Sequence, residues 1–216
     1  MKIEIKRSIN PIKYNNAINI LEKKVEKIIN KKDENELIWF LNHPSTFTAG
    51  ISFKKEEILD KSIKILKTSR GGKLTWHGPG QLICYFVINL NKRKRDIRKF
   101  INIIEESIID ALCEYKIKTK SDRKKIGIWY IKNKKLKKVA AIGIKVRKWV
   151  AYHGFSLNIN NDLNPYKKII PCGIEDREVT NLINIKKQDY TKISNVLEKY
   201  LIKKLKIQVS LFLKLF

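Results

Sequence analysis

Cysteine is scarce: Cys84, Cys113 and Cys172 are the only three in 216 residues, an odd number with no CxxC pair. That pattern excludes a zinc ribbon and argues against a disulfide framework, so reduced thiols in a cytoplasmic setting are expected. Long apolar runs are missing too. No stretch reaches the roughly 18 uninterrupted apolar residues of a membrane span. The opening MKIEIKRSIN carries charges where a signal peptide needs an apolar core. Neither a repeat, a Pro/Ser/Gly-rich linker nor a low-complexity tail divides the chain, and its length suits a single domain, 1–216.

Arginine is sparse as well, supplying eight of the 47 basic residues. The net charge of +26 raises a nucleic-acid reading. Against it, base readers lean on the bidentate fork of Arg, whereas the Lys here is spread along the whole chain. Abundant Ile and Asn beside that Lys fit a codon pool rich in A and T. No nucleic-acid partner is expected, and a positive field attracts an acidic protein as readily as a polynucleotide.

Hydrophobic residues make up 43% of the chain, enough for a packed core. Ile18, Leu21, Val25, Ile28 and Ile29 fall at helical spacing after Tyr14. Glu36 to Leu41, Ile63 to Thr68 and Leu82 to Leu90 read as strands. Asp96 is a good N-cap for a second helix with Phe100, Ile104, Ile108 and Leu112 on one face. Three strand-like pieces follow between Gly127 and Asn158. A last helix is expected from about Asp189 to Lys206, with the apolar end IQVSLFLKLF closing a sheet edge. Such an order is neither a regular βαβ alternation nor all-β, so the expected class is α+β, with mixed sheets packed against helices.

Glycine, proline and histidine concentrate in HPSTFTAG (His43 to Gly50), in RGGKLTWHGPGQ (Arg70 to Gln81), and in a block from Lys138 to Leu182. All three histidines, His43, His77 and His153, fall there, each before Pro or Gly, which suggests strand-end loops converging on one site. The Arg70 segment is not a phosphate loop, because GGK is followed by Leu74 and no GxGxxG opens a helix. Its paired glycines let a ligand lie against the backbone, with Arg70, Thr75 and His77 around it. A hairpin turn with a solvated Arg is the plainer alternative.

Cys172 stands between Pro171 and Gly173, on a bend that presents the thiol. It reads either as a nucleophile or as a small packed turn residue, whereas Cys84 and Cys113 have the surroundings of inert core thiols. A nucleophilic cysteine needs a base or a positive charge nearby. His77, His153 and Lys138 are candidates. Lys138 begins the apolar strand Val139 to Gly143, unlike the solvated Lys134 and Lys135 before it.

Taken together, these strings resemble the octanoyl (lipoyl) transferases. Arg70 to Gln81 is similar to their RGGxxTxHGPGQ, Lys138 to Gly143 to KxAxxG, His153 to Asn158 to HGxxLN, Ile170 to Ile174 to the cysteine loop, and His43 to Gly50 to HPxxxTxG. The likeness runs in order from about Tyr14 to Leu182, with Asn42, Trp76 and Ser156 as departures. It implies the fold shared by lipoate ligases and biotin protein ligases. It also implies Cys172 as acyl-thioester nucleophile and Lys138 as the cation that keeps it ionised. The acyl site it implies comprises Arg70, Gly71, Gly72, Lys73, Leu74, Thr75, Trp76 and His77, then Ala141, Ile142 and Gly143, then Gly154, Phe155 and Ser156, with His43 and His153 in support. The implied reaction moves octanoyl from octanoyl-acyl carrier protein to a lysine of lipoyl domains, in 2-oxoacid dehydrogenase complexes or the glycine cleavage H protein, as the first step of lipoate assembly. No cofactor, metal or membrane is implied. The rivals are an ATP-dependent lipoate–protein ligase of the same fold and a Lys-rich nucleic-acid-binding module.

Overall fold

The computed structural model describes residues 2–123, 125–170 and 178–213, with side chains described to residue 206. Its centre follows from two strands that are buried almost throughout, β2 (Glu36–Leu41) and β6 (Gln81–Asn89). Strand residues alternate between faces, so both faces need cover. Leu37, Trp39 and Leu41 join Ile83, Tyr85 and Val87 beneath α1 (Tyr14–Ile29), which contributes Ala17, Leu21, Val25 and Ile28. Ile38 and Phe40 join Cys84, Phe86 and Ile88 on the opposite face. There they meet α2 (Ile97–Glu114) and α4 (Ile193–Leu213), through Phe100, Ile104, Leu197 and Leu201 among others. Each such fully buried side chain contributes about 1.5–3 kcal/mol.

The other strands of this sheet are β1 (Ile3–Arg7), β7 (Thr119–Ser121), β8 (Ile128–Lys132), β9 (Lys135–Arg147) and β10 (Val150–Asn158). Their order is β1-β2-β6-β10-β9-β8-β7, and β11 (Glu178–Val179) pairs with β9 off that path. β1 runs parallel to β2, and the β2–β6–β10–β9–β8–β7 pairs are antiparallel. A smaller sheet has the order β4-β3-β5, from β3 (Thr46–Ala49), β4 (Ile65–Lys67) and β5 (Leu74–His77). A short helix, α3 (Leu182–Ile185), precedes α4. Mixed sheets covered by helices make the α+β class expected from the sequence.

Several expectations hold in detail. Asp96 caps α2 by accepting the Lys99 N–H at 2.9 Å, a contact of about 1 kcal/mol. Others need correction. Of the apolar end IQVSLFLKLF, residues 207–213 are helix and not strand, because α4 continues to Leu213. No Gly or Pro interrupts it, and the i, i+4 row Leu197, Leu201, Leu205 continues in the sequence as Val209 and Leu213. HPSTFTAG and RGGKLTWHGPGQ are not wholly loops either. Each supplies a strand, β3 and β5, paired at Thr48 and Thr75, because Thr, Phe and Trp between the Gly and Pro punctuation favour extended backbone. Cys84 is buried as expected, but Cys113 is exposed on the last turn of α2. Among the described residues, no helix is long and apolar enough to cross a membrane.

Candidate active site

A cavity of about 820 Å³ opens between the sheet's α1 side, the Arg70 segment and β9. Its first feature comes from an irregularity. Trp129 pairs with Lys138, and Ile128 with Ala140, so Val139 has no opposite number. Val139 and Ala140 both enter the core beneath α2. A bulge of this kind re-aims the side chains on either side of it, and here Lys138 and Ala141 both line the cavity. Lys138 is only 6% exposed. Its Nζ lies 4.7 Å from the centroid of the Trp129 ring and donates to the Ile126 carbonyl at 3.4 Å. Gly127, at φ +137°, leaves room beside it, since a Cβ there would come within 3.2 Å of Lys138 Cε.

The floor consists of small residues in register. Ala141 faces Ser156, which faces Ile83, and Gly143 faces Gly154, which faces Tyr85. A side chain at Gly154 would strike the Cys84 carbonyl oxygen. Over this floor lies Arg70, whose side-chain carbons approach the position of a Gly143 Cβ at 3.3 Å. Its guanidinium is built into the fold, donating to the carbonyls of Thr48, Gly71 and Lys73 and to Thr48 Oγ1 at 2.9–3.0 Å. Nε has no partner among the described residues. The paired glycines serve the protein itself: a Gly71 Cβ would sit 2.9 Å from the Ile144 carbonyl oxygen, and the Gly71 N–H donates to it.

The inner end gathers the histidines. His153 lies in mid-strand with φ +69°, not in a loop, and this turn puts its ring beside Tyr152 (centroids 4.9 Å) and Tyr85 (6.4 Å). It is fully buried, and neither ring nitrogen has a partner among the described residues. His77 holds the Gln81 side-chain oxygen through Nδ1 at 2.8 Å. His43 lies behind, with its Nε2 2.8 Å from Tyr85 Oη and its ring 5.7 Å from that of His77. Burial, reinforced by the charges of His43 and Arg70, pushes His77 down to about 3. His153 is likewise pushed to about 3, by burial and then Arg70 and Lys145. Burial lowers His43 as well.

Of the residues singled out from the sequence, Lys138, Arg70, Gly71, Gly72, Lys73, Thr75, His77, Ala141, Ile142, Gly143, His153, Gly154, Phe155 and Ser156 line this one cavity. Leu74 and Trp76 do not. Strand alternation sends them to the other face of β5, where they pack with Tyr166 and Ile169, and Trp76 donates to Ser45 Oγ at 2.9 Å. His43 stands one layer behind. Tyr85 and Ile83 line the cavity and were not foreseen. The signal was a tyrosine inside the otherwise apolar run LICYFVINL.

Cys172 lies outside the described residues, but both flanks of its segment are anchored. Upstream, Ile170 N–H donates to the Glu57 carbonyl at 2.8 Å, and the Tyr166 hydroxyl accepts from Gln81 Nε2 at 2.9 Å. Downstream, Val179 pairs with Lys138 itself, the Thr180 N–H donates to the Lys138 carbonyl at 2.9 Å, and the Thr180 carbonyl accepts from Asn158 Nδ2 at 3.0 Å. Gln81 and Asn158 join the two flanks through a 2.8 Å hydrogen bond.

The sequence profile of the lipoyl protein ligase A/B catalytic domain matches residues 14–202. The chain is 42% identical over 190 residues to the octanoyltransferase of Wolbachia sp. subsp. Brugia malayi, covering 87% of this chain and 92% of that one. It is 45% identical over 172 residues to the octanoyltransferase of Wolbachia pipientis wMel, covering 79% and 83%. Among solved structures it resembles the bipartite lipoate protein ligase of Thermoplasma acidophilum, with a TM-score of 0.73 at 15% identity over 95% of this chain and 84% of that one. That likeness establishes the shared fold.

Proposed function

Since the chain belongs to the lipoyl protein ligase A/B catalytic family, and within it to the octanoyltransferases, it is an acyltransferase, and we propose a two-step transfer through Cys172. The donor is octanoyl-acyl carrier protein. The acceptor is a specific lysine of a lipoyl domain, in a 2-oxoacid dehydrogenase complex or the glycine cleavage H protein. The whole chain acts as one catalytic domain, in the cytoplasm, at the first step of lipoate assembly.

First, the Cys172 thiolate attacks the donor's carbonyl carbon, and the carrier's sulfur leaves and takes up a proton. One thioester replaces another, so this step is close to isoenergetic. Next, the acceptor's ε-amine attacks the enzyme thioester, loses a proton and becomes an amide, while Cys172 regains its thiolate. An amide is more stable than a thioester, so no ATP is required. Splitting the transfer in this way follows the logic of covalent catalysis. Lys138 supplies the positive charge that favours the thiolate and passes protons to the leaving sulfur and from the incoming amine. Ala141, Gly143, Gly154 and Ser156 give the chain a floor without bulk, beneath Arg70. The +26 charge draws in acidic partner proteins, so the rate falls with added salt.

The observation that carries this reading is the placement of Lys138. It is a buried lysine turned into a small-residue cavity, on a backbone position paired with the flank of the Cys172 segment. Intact-mass spectrometry after mixing with octanoyl-acyl carrier protein tests it. An octanoyl adduct mapping to Cys172 is expected, persisting in Cys84→Ala and Cys113→Ala and absent from Cys172→Ala. Undiminished transfer by Cys172→Ala removes the covalent step, and a strict need for ATP makes the protein a ligase.

A further inference from the structure

The inner end of the cavity is polar where the end of a fatty chain would meet carbon. Tyr85, His77, Thr75 and His153 all line it. Both nitrogens of His153 are buried without a partner among the described residues, as is Arg70 Nε. A non-glycine residue at φ +69° in mid-strand is disfavoured. Strained backbone together with unpaired buried polar atoms, at the end of a cavity, marks a place where the ring is held for the cavity's contents. The ring is also neutral at physiological pH, with its pKa down to about 3 from burial and then Arg70 and Lys145. It therefore offers one donor and one acceptor and no charge.

The register of the floor turns this into a measure of length. Ala141, Ser156 and Ile83 form a first row, and Gly143, Gly154 and Tyr85 a second, two residues deeper from Lys138. Two strand residues span roughly 7 Å. On the acyl-transfer reading, on which this inference rests, the thioester carbonyl lies beside Lys138. An extended octanoyl chain has about the reach of three strand residues, so its methyl end falls over the first row. A dodecanoyl chain, four methylenes longer, brings its methyl end up to the second row, against Tyr85 and His153.

We propose that the His153 imidazole, with the Tyr85 hydroxyl, is a polar floor that fixes the accepted acyl length near octanoyl. With a chain of that length, water can still satisfy the ring nitrogens. A longer chain displaces the water with methylenes, which offer no hydrogen bond, and leaves the His153 ring nitrogens unsatisfied, while the Tyr85 hydroxyl keeps its partner in His43. Discrimination then comes from desolvation and not from a steric wall, so it depends on the polarity of residue 153 more than on its size.

The test compares the full chain with His153→Met, His153→Gln and Tyr85→Phe, using kcat/KM for octanoyl- and dodecanoyl-acyl carrier protein. Met and Gln are close in size and bear the same left-handed backbone, so general losses divide out of the dodecanoyl-to-octanoyl ratio. That ratio should rise about ten-fold in His153→Met, less in Tyr85→Phe, and stay within about two-fold in His153→Gln. Equal ratios in Met and Gln overturn the proposal, and a joint rise in both points to a steric wall. Calorimetric binding of free octanoate and dodecanoate reads the same ratio without turnover. Absent transfer by the wild-type chain would therefore count against the acyl-transfer reading, while the binding ratio still decides for or against the polar floor.

Discussion

β9 and β10 lie side by side, and each breaks its alternation once. In β9 the unpaired Val139 does it, turning Lys138 and Ala141 toward the cavity. In β10 it is His153, whose φ of +69° brings its ring beside that of Tyr152. The two devices differ in kind. A bulge adds a residue and asks for no special backbone. A left-handed turn adds nothing but strains a non-glycine residue by about 1–3 kcal/mol. Their products differ as well: one end of the cavity holds a lysine against the Trp129 ring and a carbonyl oxygen, the other neutral imidazoles and a phenol. A cavity with a buried lysine at one end and neutral imidazoles at the other, roofed by Arg70, has separate places for chemistry and for selection.

The sharpest way to break that contrast is Lys138→Met. Octanoyl transfer should fall about 10²–10⁴-fold, the span of a lost acid–base group, while the thermal midpoint moves little. A wild-type rate of enzyme acylation would end the role given to Lys138. Deleting Val139 attacks the same residue through the backbone. Transfer should fall comparably, and urea titration should also show a loss of at least about 1.5–3 kcal/mol, because a buried side chain disappears. If the deletion leaves both activity and stability intact, the bulge is not what aims Lys138.

The histidine end has its own signature. His77 and His153 are neutral in the folded protein, with pKa values near 3 against an unperturbed 6.5. Between those values the unfolded chain binds more protons than the folded one, so stability rises with pH across that window and is lost as pH falls below about 6.5. Each group contributes a slope of at most about 1.4 kcal/mol per pH unit. Denaturation midpoints measured from pH 7 to 4 should therefore fall, and His153→Asn should flatten the curve. An unchanged slope in that variant would show that His153 binds its proton equally in the folded and unfolded chain.

Local periodicity and capping made much of the frame legible. Glu36–Leu41 is a strand at both its expected ends, the helix begins at Tyr14, and Asp96 caps the next one. The motif residues were found because Gly, Pro and His cluster, and most of them do meet in one cavity. What the sequence hides is direction. Nothing in KKVAAIG announces a bulge, since Lys138 and Val139 look like the regular start of a strand. His153 before Gly154 suggests a turn, yet cross-strand pairing to Phe86 and Ile144 keeps it inside a sheet. Gly71 and Gly72 suggest room for a ligand, but glycine is required by the protein's own backbone, by the Ile144 carbonyl oxygen against Gly71 and by a φ of +86° at Gly72. Tertiary pairing decides such cases, and a window of a few residues does not contain it.

The two thiols on α2 and β6 give the smallest effect and the cleanest control. Cys84 is fully buried, and burial raises its pKa well above the ordinary thiol range. Cys113 is exposed. A water-soluble maleimide should label Cys113 in the native protein and reach Cys84 only on unfolding. Serine at position 84 puts an unpaired hydroxyl into an apolar core and should cost about 1–3 kcal/mol. At position 113 the same change should stay within about 0.5 kcal/mol and leave transfer intact. A loss of transfer in Cys113→Ser, with stability unchanged, would place a reactive thiol on the far face of the sheet and contradict the assignment of the chemistry to the Lys138 end.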